Sequence, residues 1–271
     1  MELLDSFLLG LIQGLTEFLP ISSSGHLVLG EAMLGGEIDQ SITFEVVVHF
    51  GTLCSILIYY RSKLADMLTS LWDLIKSPKE ISQKADSDTN VKLMGFILLS
   101  MIPAFLVGVF LKEEIETIFL NPFMVSIMLL VTGSILYATK FRNEFPKEVN
   151  AKSAFGIGLA QAFAILPGIS RSGSTISLGL YLGINRKEVA NFSFLMVIPV
   201  IAGAMLFEVK EMIEIGVQVN DAISLIVGFF TAFISGYYAL KYLIIMLQSK
   251  GIHPFAWYCW AVGISGLIYF W

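Results

Sequence analysis

Two short polar stretches carry most of the chemistry available to this chain. Residues 13 to 26 read QGLTEFLPISSSGH. In a helical segment Gln13 and Glu17 stand at i and i+4, so a carboxamide and a carboxylate share one face and can converge on one ligand or cation. Ser22, Ser23 and Ser24, followed by Gly25 and His26, form a hydroxyl-rich turn beside an imidazole. A serine is a weak nucleophile until a neighbouring base activates it, and His26 or Glu17 can supply that base. Residues 161 to 174 read QAFAILPGISRSGS, and Thr175 follows. Here Arg171 stands among Ser170, Ser172, Ser174 and Thr175, and Gly168 and Gly173 let backbone approach closely. Guanidinium, hydroxyls and helix-start N–H groups are what a phosphate oxygen requires. Plainer readings stand beside these: Glu17 and Arg171 as a structural ion pair, and serines that only bond backbone carbonyls.

The elements that position these residues come in two copies. An offset of 148 residues carries Gln13 onto Gln161, Ile21 onto Ile169, Ser22 onto Ser170, Ser24 onto Ser172, Gly25 onto Gly173 and, beyond the motif, Phe44 onto Phe192. Glu17 and His26 belong to the first copy alone, and Arg171 to the second. Duplicated halves with broken, hydroxyl-rich segments at matching positions point to a membrane protein whose site lies between its repeats.

Composition agrees. With 56% apolar and 14% charged residues and a mean hydropathy of +0.77, too little polar surface remains to cover a soluble domain. Apolar runs long enough to cross the hydrocarbon core fall at about 42–60, 93–111, 122–140, 189–207, 222–247 and 254–271. The expected fold is therefore an all-α integral membrane protein with six transmembrane helices. The N-terminal run carries Glu2 and Asp5 in place of a basic n-region and reads as mature protein. Cys54 and Cys259 fall inside spans, which supports neither a disulfide framework nor a cysteine metal site. His49 and His253 read as structural, and Glu45 as interfacial.

Fourteen of the seventeen basic residues fall on one side of a six-span scheme, in the loop 61–92, in the segment 140–152, and at Arg186, Lys187, Lys241 and Lys250. That side is the cytoplasmic one. Lys112 and Lys210, each among glutamates, fall outside. The pattern fits if residues 3–29 and 155–183 are re-entrant helix pairs, broken near Pro20 and Pro167–Gly168. Each half then has three spans, so one membrane domain, 1–271, contains inverted repeats of about 1–150 and 151–271. The first motif dips from the outer face. The stretch 76–90 is a polar linker, a cytoplasmic loop or a surface helix.

The paired motifs resemble those of the bacitracin-resistance family of undecaprenyl-diphosphate phosphatases. NFSFLMVIP at 191–199 and HPFAWY at 253–258 extend the resemblance over essentially the whole chain. The superfamily of lipid phosphatases built on an SGH segment and a later Arg–His pair is a different match: Ser24 to His26 reads SGH, but that later pair is missing. The resemblance implies hydrolysis of undecaprenyl diphosphate to undecaprenyl phosphate, which recycles the lipid carrier of cell-envelope synthesis. It also implies action on other isoprenoid diphosphates, a divalent cation, homodimers, bacitracin as a competitor for substrate, and a site at the outer face of the bacterial inner membrane. Position by position it assigns function to Glu17, Ser23, His26, Ser170, Arg171 and Thr175. Where the family pattern opens on Glu or Gln, this chain has its minority choice, Gln13, a ligand that cannot be a base.

These strands give one expected mechanism. Glu17 and Gln13 hold Mg2+ or Ca2+, while Arg171 binds the diphosphate with Ser22, Ser24, Gly168, Ser170, Ser172 and Thr175. Ser23 or a water attacks, and His26 serves as base or leaving-group acid. The rival expectation is an inverted-repeat transporter or lipid flippase, alone or alongside the phosphatase. No nucleic-acid partner is expected.

Overall fold

The computed structural model describes residues 3–33, 42–76, 87–111, 115, 121–142, 147–215 and 222–271. Among them the regular structure is helical, apart from one isolated parallel bridge between Lys147 and Ile184. The helices are α1 (Leu3–Phe18), α2 (Ser23–Met33), α3 (Ile42–Tyr59), α4 (Arg61–Lys76), α5 (Thr89–Phe110) and α6 (Pro122–Ala138). The second half follows with α7 (Ala151–Phe163), α8 (Arg171–Tyr181), α9 (Arg186–Ile215), α10 (Ala222–Ser249) and α11 (Phe255–Tyr269). A 3-10 turn, Thr139–Phe141, extends α6.

Three segments are long and apolar enough to cross a membrane: Thr89–Phe110, Pro122–Phe141 and Ala222–Ser249, with shorter apolar helices at Val46–Tyr59 and Phe255–Tyr269. Leu98, Phe105, Phe110, Ile226, Phe230, Ile234 and Ile268 are exposed along these helices. Such a surface would associate in water and is what hydrocarbon solvates. The chain is thus a helical membrane protein.

The sequence places its first and second polar motifs at breaks, and the helices stop there. α1 ends before the 19–22 turn around Pro20, and α7 ends before the 164–170 turn around Pro167. Proline cannot donate to the helix ladder, and it biases the preceding residue away from helix. Each following helix is started by a serine whose hydroxyl accepts a backbone N–H, Ser22 from Gly25 and Ser170 from Gly173. Local caps fix other starts too. Asn150 and Ser153 form a reciprocal capping box on α7, and Asn121 with Pro122 opens α6.

Partners are exchanged between the halves. α1 packs along α10, and its counterpart α7 packs along α5, while α3 meets α9 and α6 meets α11. The α1–α10 crossing is close because Gly10 and Gly14 face Gly228, Ala232 and Gly236, a small-residue seam. The core beneath both breaks is apolar. Phe18 and Phe194, both fully or almost fully buried, meet edge to face at 6.0 Å.

The region read as a basic loop after residue 60 folds as α4. Its apolar residues Leu68, Leu71, Trp72 and Ile75 lie three or four apart and form one exposed stripe. Asp88 caps α5, accepting from the N–H groups of Asn90 and Val91. The linker residues 77–86, with Lys79 and Lys84, and the outer charges Lys112, Glu113, Glu114 and Glu116 lie outside the described residues. So do the side chains of Glu45, Glu208, Glu211 and Glu214.

Candidate active site

The two breaks touch. A methyl group added at Gly25 would stand 2.9 Å from the Gly168 Cα, and one added at Gly168 would meet the Val125 carbonyl at 2.5 Å. Gly168 also has φ of +88°, a conformation a Cβ disfavours. Thr132 of α6 anchors this second turn, donating to the Gly168 carbonyl at 2.8 Å and accepting from the Ser170 N–H at 3.1 Å. Ser172 ties the breaks together by donating to the Leu19 carbonyl at 3.3 Å.

Between them lies a cavity of about 140 Å³ lined by Thr16, Glu17, Ser22, Ser23, Ser24, Ala164, Ile169, Ser170 and Arg171. Both motif copies therefore share one chamber. The 148-residue offset makes Ser23 and Arg171 counterparts, each the first residue of its helix, α2 or α8. Both converge on Glu17. Arg171 Nη2 donates to Oε1 at 2.6 Å, and Ser23 Oγ donates to Oε2 at 3.2 Å. Gln13 Nε2 donates to the same Oε2 at 3.1 Å, as the i,i+4 spacing predicts. The Glu17 side chain is 7% exposed and that of Arg171 19%, so the pair is compensated mainly by itself.

Electrostatically the chamber favours an anion. Two helix N-termini, each with its outward N–H groups and positive dipole end, open beside one guanidinium. The same wall carries one carboxylate, which an incoming phosphate would repel unless a cation joined them. Among the described residues no group of three His, Cys, Asp or Glu side chains forms a closed metal cage. The donors present are hard oxygens: the Glu17 carboxylate and Gln13 Oε1, which is buried and has no hydrogen-bond partner. That set fits a divalent cation that completes its shell with water and substrate oxygens, as Mg2+ does.

Other residues singled out in the sequence do not line the chamber. Thr175 is fully buried; its hydroxyl donates to the Arg171 carbonyl and lies 2.6 Å from Ser193 Oγ. It braces the first turn of α8. His26 stands one turn into α2, with Nδ1 2.7 Å from the Ser22 carbonyl and Nε2 2.9 Å from the Tyr258 hydroxyl. Cys259 is buried with its thiol toward the Pro20 carbonyl. Thr132, Ser193 and Tyr258 escape sequence reasoning as individuals. Ser193 and Tyr258 do fall inside NFSFLMVIP and HPFAWY, the two further segments that carry the family resemblance.

Comparison with known proteins agrees over the whole chain. A family model described as Bacitracin resistance protein BacA matches residues 6–265. A protein of Bacteroides fragilis named Undecaprenyl-diphosphatase is 42% identical over 272 residues, covering 99% of this chain and 98% of that one. Proteins of the same name from Salinibacter ruber and Methanobrevibacter smithii are 38% and 37% identical, over 97% of this chain each and over 97% and 96% of their own lengths.

Proposed function

The chain belongs to the Bacitracin resistance protein BacA family, and we propose that it is a membrane hydrolase that converts undecaprenyl diphosphate to undecaprenyl phosphate and inorganic phosphate. The names of its relatives support the substrate. One geometric observation carries the chemistry: the lead residues of two half-helices, a hydroxyl and a guanidinium, take the two oxygens of one buried carboxylate at the wall of a polar chamber.

In this reading Arg171 leaves Glu17 Oε1 for the phosphate when substrate enters, and the N-termini of α2 and α8, with Ser22, Ser24 and Ser170, bind the remaining oxygens. Glu17, freed on one oxygen, accepts the Ser23 Oγ proton. Ser23 Oγ then bonds to the terminal phosphorus as the bridging P–O bond breaks, and undecaprenyl phosphate departs as an anion. Water releases the phosphate from Ser23 in a second step. Direct attack by water, deprotonated by Glu17, uses the same geometry. Phosphate trapped on the enzyme under rapid quench and abolished by Ser23→Ala selects the first route; its absence with release intact selects the second. Gln13 and Glu17 would hold the divalent cation, Mg2+ or Ca2+, whose chemistry is to neutralise charge on the diphosphate. Gly168, Ser172 and Thr175 support the binding wall from behind.

The exchanged packing of α1 on α10 and α7 on α5 supports an inverted repeat of six spans and two re-entrant pairs, divided near residue 150. The asymmetry of Lys and Arg supports a chamber open to the outer face of the bacterial inner membrane. The family resemblance further supports a homodimer and competition by bacitracin for the diphosphate. The same exchanged packing also favours a second reading, a flippase or transporter, because such repeats alternate access in carriers.

Phosphate release by purified protein in detergent separates the two. The hydrolase predicts cation-dependent release from undecaprenyl and farnesyl diphosphates without any gradient. No release from folded protein, with ion-coupled uptake in vesicles, would overturn it in favour of the carrier.

A further inference from the structure

The two motif copies cap their second helices with the same chemistry. Ser22 Oγ accepts from Gly25 N–H at 3.2 Å and Ser170 Oγ from Gly173 N–H at 3.1 Å, and each lies 3.4 Å from the hydroxyl two residues on. Their backbones differ. Ser170 has φ of −72°, whereas Ser22 has φ of +71° and is the one non-glycine residue at positive φ among those described. A side chain with a Cβ is strained there, and such strain persists only where surrounding contacts hold it.

Contacts from α11 reach the turn on both sides of this torsion: Cys259 Sγ lies 3.7 Å from the Pro20 carbonyl, and the far side is tied to Tyr258 through the ring of His26. Its Nδ1 is 2.7 Å from the Ser22 carbonyl oxygen. A carbonyl only accepts, so Nδ1 carries the proton, and Nε2 of the neutral ring accepts from the Tyr258 hydroxyl at 2.9 Å. In the second copy the position matching His26 is Ser174, whose buried hydroxyl has no hydrogen-bond partner. There the cap has an ordinary φ. Imidazole and strained cap occur together in one copy, and neither occurs in the other.

We propose that His26 is a positioning residue: its ring joins the Ser22 carbonyl to Tyr258 of α11, beside Cys259 at the Pro20 carbonyl, and this clamp on both sides of the turn keeps Ser22 in the left-handed conformation that turns Ser23 toward Glu17. The imidazole then moves no proton during turnover, in contrast to the acid–base role its residue type suggests. The effect on rate rests on the phosphatase reading; the clamp itself does not.

Coupling between His26 and Ser22 tests this. Glycine adopts positive φ without a clamp. The expected result is that His26→Ala lowers kcat about 10- to 100-fold, with KM little changed, while the same change in the Ser22→Gly background costs under about threefold. Tyr258→Phe, which cuts the tie to α11 while leaving the imidazole in place, lowers kcat in the same direction, and that loss too shrinks in the Ser22→Gly background. The pH profile of kcat/KM keeps its shape in His26→Asn. Equal losses from His26→Ala in both backgrounds, or a limb near the ordinary histidine pKa of about 6.5 that vanishes in His26→Asn, would overturn the proposal. Nitrogen-15 NMR of the histidine ring reads the clamp without activity. A protonated Nδ1 and bare Nε2 at neutral pH support it, and the opposite tautomer refutes it even if wild-type protein releases no phosphate. In that last case the functional reading fails separately.

Discussion

Gln13→Glu probes the chamber's electrostatics in one step. The amide of Gln13 now donates to Glu17 Oε2 over 3.1 Å; the substitution sets a second carboxylate at that distance. Two unit charges so placed repel by about 5 kcal/mol at an effective dielectric constant of about 20. Arg171 on the other oxygen offsets part of this. Without metal that repulsion stands. A divalent cation relieves it while gaining an anionic ligand. If a third to a half of the repulsion becomes cation affinity, about 1.5 to 2.5 kcal/mol, the half-saturating cation concentration falls about 10- to 70-fold. The assay is phosphate release from farnesyl diphosphate in detergent, titrated with Mg2+ and with Ca2+. Gln13→Met, which keeps the length but removes both polar atoms, should shift half-saturation the opposite way. An active Gln13→Glu protein with unchanged half-saturation would refute the assignment of Gln13 and Glu17 as cation ligands.

Other perturbations act on the scaffold. Gly168→Ala forces a Cβ to 2.5 Å from the Val125 carbonyl at a positive φ; it should cost about 2 kcal/mol or more of stability and remove most activity, read as detergent Tm and phosphate release. Thr132→Val removes a donor to Gly168 and an acceptor for Ser170 at nearly constant volume. A loss of about 1 to 3 kcal/mol is expected, with a fall in kcat, because Ser170 begins the helix that carries Arg171. Asp88 is held below the ordinary carboxylate range, first by its hydrogen bond with Ser70, then by the N–H groups of Asn90 and Val91 and by Lys63 nearby. A depressed pKa stabilises the fold above the unfolded value and is lost as pH falls through the folded one. The Tm gap between wild type and Asp88→Ala should thus be small but measurable at pH 7, and should shrink progressively below about pH 4.

Much of the site was legible because chemistry and period coincide locally. Gln13 and Glu17 meet as helical spacing requires, and Pro20 and Pro167 break their helices where the repeat has its polar turns. Spacing also grouped residues that the structure separates. Thr175 and His26 fall within a turn of the chamber in sequence, yet Thr175 braces α8 and His26 bonds the Ser22 carbonyl and Tyr258. Where such side chains point depends on backbone conformation, such as the positive φ at Ser22, which residue type does not announce. The bonds from Thr132, Ser193 and Tyr258 arrive from other helices, and a lone polar residue in an apolar run gives no local sign of its partner. α4 escaped because its apolar stripe is interleaved with charge; read by mean hydropathy it is a loop, read by period it is a helix.

In the proposed mechanism Glu17 and Arg171, contributed by different copies of the motif, work as one phosphate-hydrolysing site. The most direct test is cation-dependent phosphate release from undecaprenyl diphosphate by wild type, Glu17→Gln, Arg171→Met and the double variant, each shown to be folded in detergent. Either single change should lower release at least about 1000-fold, and the double variant should lose little more, since groups acting as one unit are not additive. Near-wild-type release from either single variant, or losses that multiply independently, would contradict that mechanism.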